Sequence, residues 1–165
     1  MAGRWQKLGG LLIVAIVMLC AFSSKTYAAT DVTEIEVPVY HYITETETEI
    51  SAVAQVLQRG AYLSVGTVTL SNHGNGSIGI YGGTTCTQTC DKVYLNIYLE
   101  QSKNGTDFYS YRSWEYTASN AAKLNKSFDY SVQKGYWYRL RGYHAAKEGS
   151  VKESTSTVTG GKYIS

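Results

Sequence analysis

Proline is almost missing from this chain: Pro38 is the one proline in 165 residues. That excludes a proline-rich linker, a polyproline ligand or a collagen-like chain. Charge is also sparse. Charged residues make up 17% against 44% hydrophobic, which excludes a disordered chain held open by its own charge. A formal charge of +2 excludes a binder whose affinity comes from bulk basicity. Three cysteines exclude a disulfide-dense mini-protein. The three histidines, His41, His73 and His144, are isolated from one another, so no His-Glu-x-x-His motif and no close-set zinc ligands exist. No serine sits in the strand–elbow–helix context of a hydrolase nucleophile.

A single long apolar run, residues 11–22, stands near the N-terminus. As a helix it would span about 18 Å, short of the roughly 30 Å of a hydrocarbon core. Arg4 and Lys7 precede it, a polar stretch follows, and Thr26-Tyr27-Ala28 offers small residues at −3 and −1. Residues 1–28 therefore read as a signal peptide cleaved after Ala28, giving a secreted protein with no membrane attachment; a membrane tether by an uncleaved leader is the alternative. Cys20 follows Leu19, which does not suit lipoprotein acylation. Removing Arg4, Lys7 and Lys25 turns the formal charge to −1. Residues 29–58 carry −6 and residues 59–165 carry +5. The expected organisation is a leader, an acidic segment over 29–58 and a β-domain over 59–165.

Cys86 and Cys90 remain after cleavage. In an exported chain two cysteines predict one structural disulfide. Closing so small a loop would add about 2 kcal/mol and pin a turn.

What the chain has in excess is tyrosine, fifteen in all, carried on period-two segments. Residues 92–101 alternate Val93, Leu95, Ile97 and Leu99 with Tyr94, Asn96, Tyr98 and Glu100, the pattern of a strand with two unlike faces. The Asn104-Gly105 turn leads into residues 107–117, predicting a hairpin. Further strands are expected at 62–70, 77–81, 127–132, 136–144 and 150–159. About seven strands separated by turn residues predict an all-β, antiparallel two-sheet sandwich, with a small β-barrel as the competitor. The spacing of Ile50, Val53 and Leu57 makes residues 50–58 the one helical candidate, at nine residues marginal in water. Pro38 limits residues 37–43 to an edge strand.

Glu100, Asp107 and Glu115 are the acids clustered in sequence, and they read as outward hairpin charges balancing Lys and Arg. The loop at residues 72–76 reads as a plain turn. No catalytic residue, metal ligand or cofactor site emerges. Alternation places Tyr94, Tyr98, Tyr109, Tyr111, Trp137 and Tyr143 on outer faces, where rings can stack on a sugar or anchor a protein. Cross-strand tyrosine ladders account for the same residues without a ligand. Arg139 and Arg141 lie among these aromatics, but export and a net charge near zero argue against nucleic acid.

The stretch Gly135-Tyr136-Trp137-Tyr138-Arg139-Leu140-Arg141-Gly142 is similar to the closing strands of fibronectin type III and immunoglobulin-like domains. The resemblance implies a structural role for Tyr136 or Tyr138, as the corner tyrosine whose hydroxyl returns to the backbone. The chain after Arg59 also resembles a family of small secreted bacterial proteins with no assigned function, through residues 59–63, 70–76, the Cys86/Cys90 pair, 98–102 and 136–159. It implies export and a compact β-domain. The expectation is a secreted, non-enzymatic β-sandwich that binds a glycan or a surface protein. The alternatives are an exported effector whose acidic segment is a pro-region, and a small hydrolase.

Overall fold

The computed structural model describes residues 32–56 and 62–165; the leader, its cleavage site, Cys20 and Arg59 lie outside them. Nine strands and no helix make up the described residues. They are β1 (Thr33–Glu36), β2 (Val39–Glu45), β3 (Glu49–Val56), β4 (Leu63–Gly74), β5 (Ser77–Ser102), β6 (Tyr109–Ser131), β7 (Tyr136–Glu148), β8 (Val151–Val158) and β9 (Lys162–Ile164).

The segments expected at 77–81 and 92–101 are one 26-residue strand, β5, and those at 107–117 and 127–132 are one 23-residue strand, β6. The two form the expected hairpin around Gly105, whose φ of 74° suits glycine. Along one edge β5 carries β6 for its whole length. Along the other it carries β4 over its first part and β7 over its second. The path runs β1-β8-β7-β5-β4-β3-β2, with β9 added to β7. Every pairing is antiparallel except β1 with β8, which is parallel.

The pairing of β5 with β6 slips between Thr85 and Cys90, where residues 86–89 bulge out of the ladder, and Asn120 opposite takes a positive φ of 50°. A bulge bends its strand and sharpens the twist. The sheet folds over here, so it is one continuous curled sheet, a half-barrel, where two separate antiparallel sheets were expected. One half contains β2, β3, β4 and the start of β5; the other contains β1, β7, β8, β9 and the end of β5.

The halves close on a core of Ile50, Leu63, Val68, Leu70, Ile78 and Ile80 from one side and Leu95, Ile97, Leu99, Tyr138, Leu140 and Ile164 from the other. Glycines allow the closest approach. A Cβ on Gly82 would stand 2.6 Å from Ile97 Cδ1, and one on Gly66 would strike the His144 ring. Beside the bend, Trp114 meets Phe128 and Tyr130 edge-on at 4.9 and 5.2 Å, so β6 touches itself across the fold. Opposite, β1 pairs with β8 and the chain then crosses at Val37-Pro38 to place β2 on β3.

Residues 33–56, within the acidic stretch, supply three strands of the same sheet. A strand also stands where the helical candidate begins. Residues 50–56 form a strand because Ile50, Ala52 and Ala54 face the core in alternation, and β4 has an edge to be covered. Residues 57 and 58 lie outside the described ones. The edge strand expected around Pro38 is present as β2, the last strand of its half.

Candidate functional site: an aromatic face and a hairpin cleft

The outer face of the second half carries the residues on which a ligand was expected. Pairing sets Tyr94, Asn96, Tyr98 and Glu100 of β5 beside Arg139, Arg141 and Tyr143 of β7. Each ring is occupied from within the protein. Arg141 stacks over Tyr98 at 4.4 Å, Arg139 over Phe108 at 4.3 Å, and the Lys152 ammonium lies 5.0 Å from Tyr94 and 5.2 Å from Tyr143. Glu100, 8% exposed, receives Arg139 Nε at 2.6 Å and Arg141 Nε at 3.2 Å. Trp137 packs against Tyr163 with ring centres 5.5 Å apart. Tyr143 donates to Glu34, and this bond, ahead of Lys152, holds the Glu34 carboxyl below the ordinary range. Burial works against the charge on Lys152, but bonds with Tyr143 and Glu34 outweigh it and raise its pKa.

Tyr109 and Tyr111 do not share this face. They stand at the start of β6, 72% and 41% exposed, with the Tyr111 ring 5.8 Å from Tyr138. Tyr138 is fully buried; its hydroxyl accepts from Gln101 Nε2 at 2.6 Å and donates to the Gln133 carbonyl at 2.8 Å. Tyr136 lines a cleft of about 380 Å³ at the hairpin end with Gln101, Ser102, Lys103, Asn104, Asp107, Tyr109 and Ser110.

The turn below this cleft is tied by its own side chains. Asn104 Oδ1 accepts from the backbone of Thr106 and Asp107, Asn104 Nδ2 donates to Asp107 Oδ2 at 2.7 Å, and Ser102 Oγ accepts from Asn104 and Gly105. An Asx turn thus fixes the hydrogen-bonding wall opposite an exposed ring. Of the three clustered acids Asp107 alone lines the cleft, while Glu100 is tied to its arginines and Glu115 pairs with Asn96 on the outer face.

A second, apolar groove of about 500 Å³ lies between β2–β3 and β8, where the edges diverge past the crossing; Tyr42, Ile43, Ala52 and Val158 are among its walls. His41 borders it as well. His73 pairs with Asp129 at 3.2 Å.

The interior holds a hydroxyl–imidazole pair that sequence reading missed. Thr84 Oγ1 donates to the Tyr94 carbonyl, so it accepts from His144 Nδ1 at 3.0 Å, leaving Nε2 to accept from Thr157 Oγ1 at 2.9 Å. His144 is fully buried, and burial pushes its pKa down to about 3. Such an imidazole has little drive to take a hydroxyl proton near neutrality. The trio joins the two halves of the sheet instead. Glu153, also buried, does the same by accepting from the Leu63 amide at 2.8 Å.

Cys86 and Cys90 are two buried free thiols, which corrects the expected disulfide. They stand at opposite ends of the bulge, Cys86 in register with Leu63 and Cys90 with Ala121. Burial, and secondarily Cys90, pushes the Cys86 thiol up to about 12; burial raises Cys90 as well. No group of three or more metal-ligating side chains occurs among the described residues.

Fold and surface together define an all-β half-barrel with a hydrogen-bonded cleft at one hairpin end. The family model of DUF6147, a family of unknown function, matches residues 28–162, and the chain belongs to that family. No curated protein matches it. Among solved structures it is similar to chicken MD-1 complexed with lipid IVa, at 12% identity and a TM-score of 0.33, over 78% of this chain and 99% of that one.

Proposed function

We propose that the protein is an exported, non-enzymatic binding module that takes a glycan at the hairpin cleft. One observation carries this: the Tyr109 ring, 72% exposed, stands at a cleft walled by Gln101, Lys103, Asn104 and Asp107. A pyranose ring offers an apolar face for Tyr109 and hydroxyls for the amide, carboxylate and ammonium groups. The pre-formed turn supports the reading, because a site ordered beforehand loses little entropy on binding. Tyr94, Tyr98 and Tyr143 of the outer face already lie under cations, whereas Tyr109 is the most exposed of the large hydrophobic side chains and stands at the cleft.

Export follows in this reading from the apolar leader and Thr26-Tyr27-Ala28. Kinship to immunoglobulin-like closing strands is supported by Tyr138, whose hydroxyl reaches the backbone five residues upstream. The pro-region alternative is disfavoured by β3, which lies within the sheet.

A glycan array probed with the full chain, followed by calorimetry on the best oligosaccharide, tests the proposal. Tyr109→Ala is expected to weaken binding on the order of tenfold, as loss of one stacked ring does. Its melting temperature is expected to be unchanged, because the ring is exposed. An array blank for the folded protein, or a Tyr109→Ala variant that binds normally, rejects it.

A further inference from the structure

Three lysines stand side by side on the outer face near the bend. Lys92 of β5 is directly opposite Lys147 of β7, and Lys147 is directly opposite Lys152 of β8. Directly opposed residues point to the same face, and like charges in such pairs destabilise a sheet. Neighbouring strands are about 4.8 Å apart, so the three lysines spring from the sheet at about that interval across the strands.

Compensation reaches one end of the row only. Lys152 bonds to Glu34 at 3.1 Å and rests over Tyr94 and Tyr143. Lys92 and Lys147 form no ion pair among the described residues. Asp91 and Glu148, their neighbours in the chain, bond to backbone at the adjoining turn: Glu148 accepts from the Asp91 amide and Asp91 from the Gly149 amide, each at 2.9 Å. Lys92 and Lys147, directly opposed and without an ion pair, are suited to an anion supplied from outside, with Lys152 at the end of the row.

We infer that Lys92, Lys147 and Lys152 form a second binding site, for an acidic polysaccharide whose repeated anionic groups lie across the three strands. Its position separates it from the hairpin cleft: Lys92 and Gln101 are nine residue steps apart on β5, about 30 Å along an extended strand. Single-stranded nucleic acid fits less well. Bases need free rings to stack on, and Tyr94, Tyr98 and Tyr143 are all covered by cations of the protein itself.

The test is affinity electrophoresis and calorimetry of the full chain against polygalacturonate, with neutral dextran and a single-stranded oligonucleotide as comparison ligands, at low and moderate salt. Polygalacturonate is expected to bind, dextran to leave this row unoccupied, and affinity to fall steeply with salt as counterions are released. Lys147→Gln is expected to weaken polygalacturonate by roughly three- to fivefold, and the Lys92→Gln/Lys147→Gln pair by roughly tenfold or more. The same Lys147→Gln substitution is expected to keep or raise the melting temperature, because it relieves repulsion, and to leave glycan binding at Tyr109 unchanged. The inference is overturned if polygalacturonate does not bind at low salt, if the double variant binds it as well as the wild type, or if the oligonucleotide binds more tightly. None of these outcomes touches the Tyr109 reading, which is decided by neutral glycans and the Tyr109→Ala variant.

Discussion

His144 shows how much one side chain decides in this molecule. Its ring lies where a Cβ on Gly66 would stand, and it hydrogen-bonds Thr84 and Thr157 from opposite nitrogens. Its pKa in the folded state, about 3, is below the ordinary 6.5. The unfolded chain therefore binds the extra proton first, and stability falls as pH drops from about 6.5 towards 3. Urea midpoints measured across that window are expected to decline, and His144→Gln is expected to flatten the decline while lowering the midpoint near neutrality. Gly66→Ala forces a methyl into the imidazole and is expected to cost about 1–3 kcal/mol in denaturant titrations. Glu100→Gln takes the shared carboxylate from Arg139 and Arg141. A loss of about 1–3 kcal/mol is expected in the same assay, as for a charged hydrogen-bonding group removed from a nearly buried place. Residue identity was legible in part: Glu100 reads as a charge balanced by arginine, as it is. The role of His144 was not, because nothing in its sequence neighbourhood announces Thr84 and Thr157, which the fold brings from other strands.

At the scale of elements, the regular parts of the strands were readable and their joins were not. Residues 92–101 and 136–144 alternate cleanly because one side meets the core and the other carries the aromatic face. The bulge at 86–89 gave no such signal; two cysteines four apart suggested a disulfide turn, whereas the structure uses the stretch to bend β5. In the sequence around β3, Ile50, Val53 and Leu57 satisfy a helical period while Ile50, Ala52 and Ala54 satisfy a strand. Pairing with β4, absent from any local pattern, settles the matter. This has a direct consequence: a chain beginning at residue 59 lacks β1–β3, exposes the edge of β4 and uncovers Leu63, Val68 and Leu70. Such a truncation is expected to lose cooperative thermal melting, whereas a detachable pro-region would leave it intact. The long edge of β6, unpaired among the described residues, belongs to a strand that carries Arg112, Glu115, Lys123, Lys126 and Asp129, charges that discourage edge-to-edge association.

For the whole molecule, the curled sheet leaves chemically different surfaces at its margins: a hairpin cleft with an exposed tyrosine, an apolar groove where β2 and β8 diverge, and a lysine row near the bend. Tyr109 was legible as a candidate from its strand and its excess of neighbours of the same kind. Its separation from Tyr94 and Tyr98 was not legible, because the register shift between Leu99 and Glu100 comes from pairing. The most direct test of the hairpin cleft as the ligand site is a heteronuclear NMR titration of the isotope-labelled protein with an oligosaccharide selected on the array. Shift changes are expected to concentrate at Lys103, Asn104, Asp107, Tyr109 and Ser110, with Tyr42, Ile43 and Val158 undisturbed. Changes centred on those last three residues, with the hairpin silent, would contradict the hairpin cleft as the ligand site.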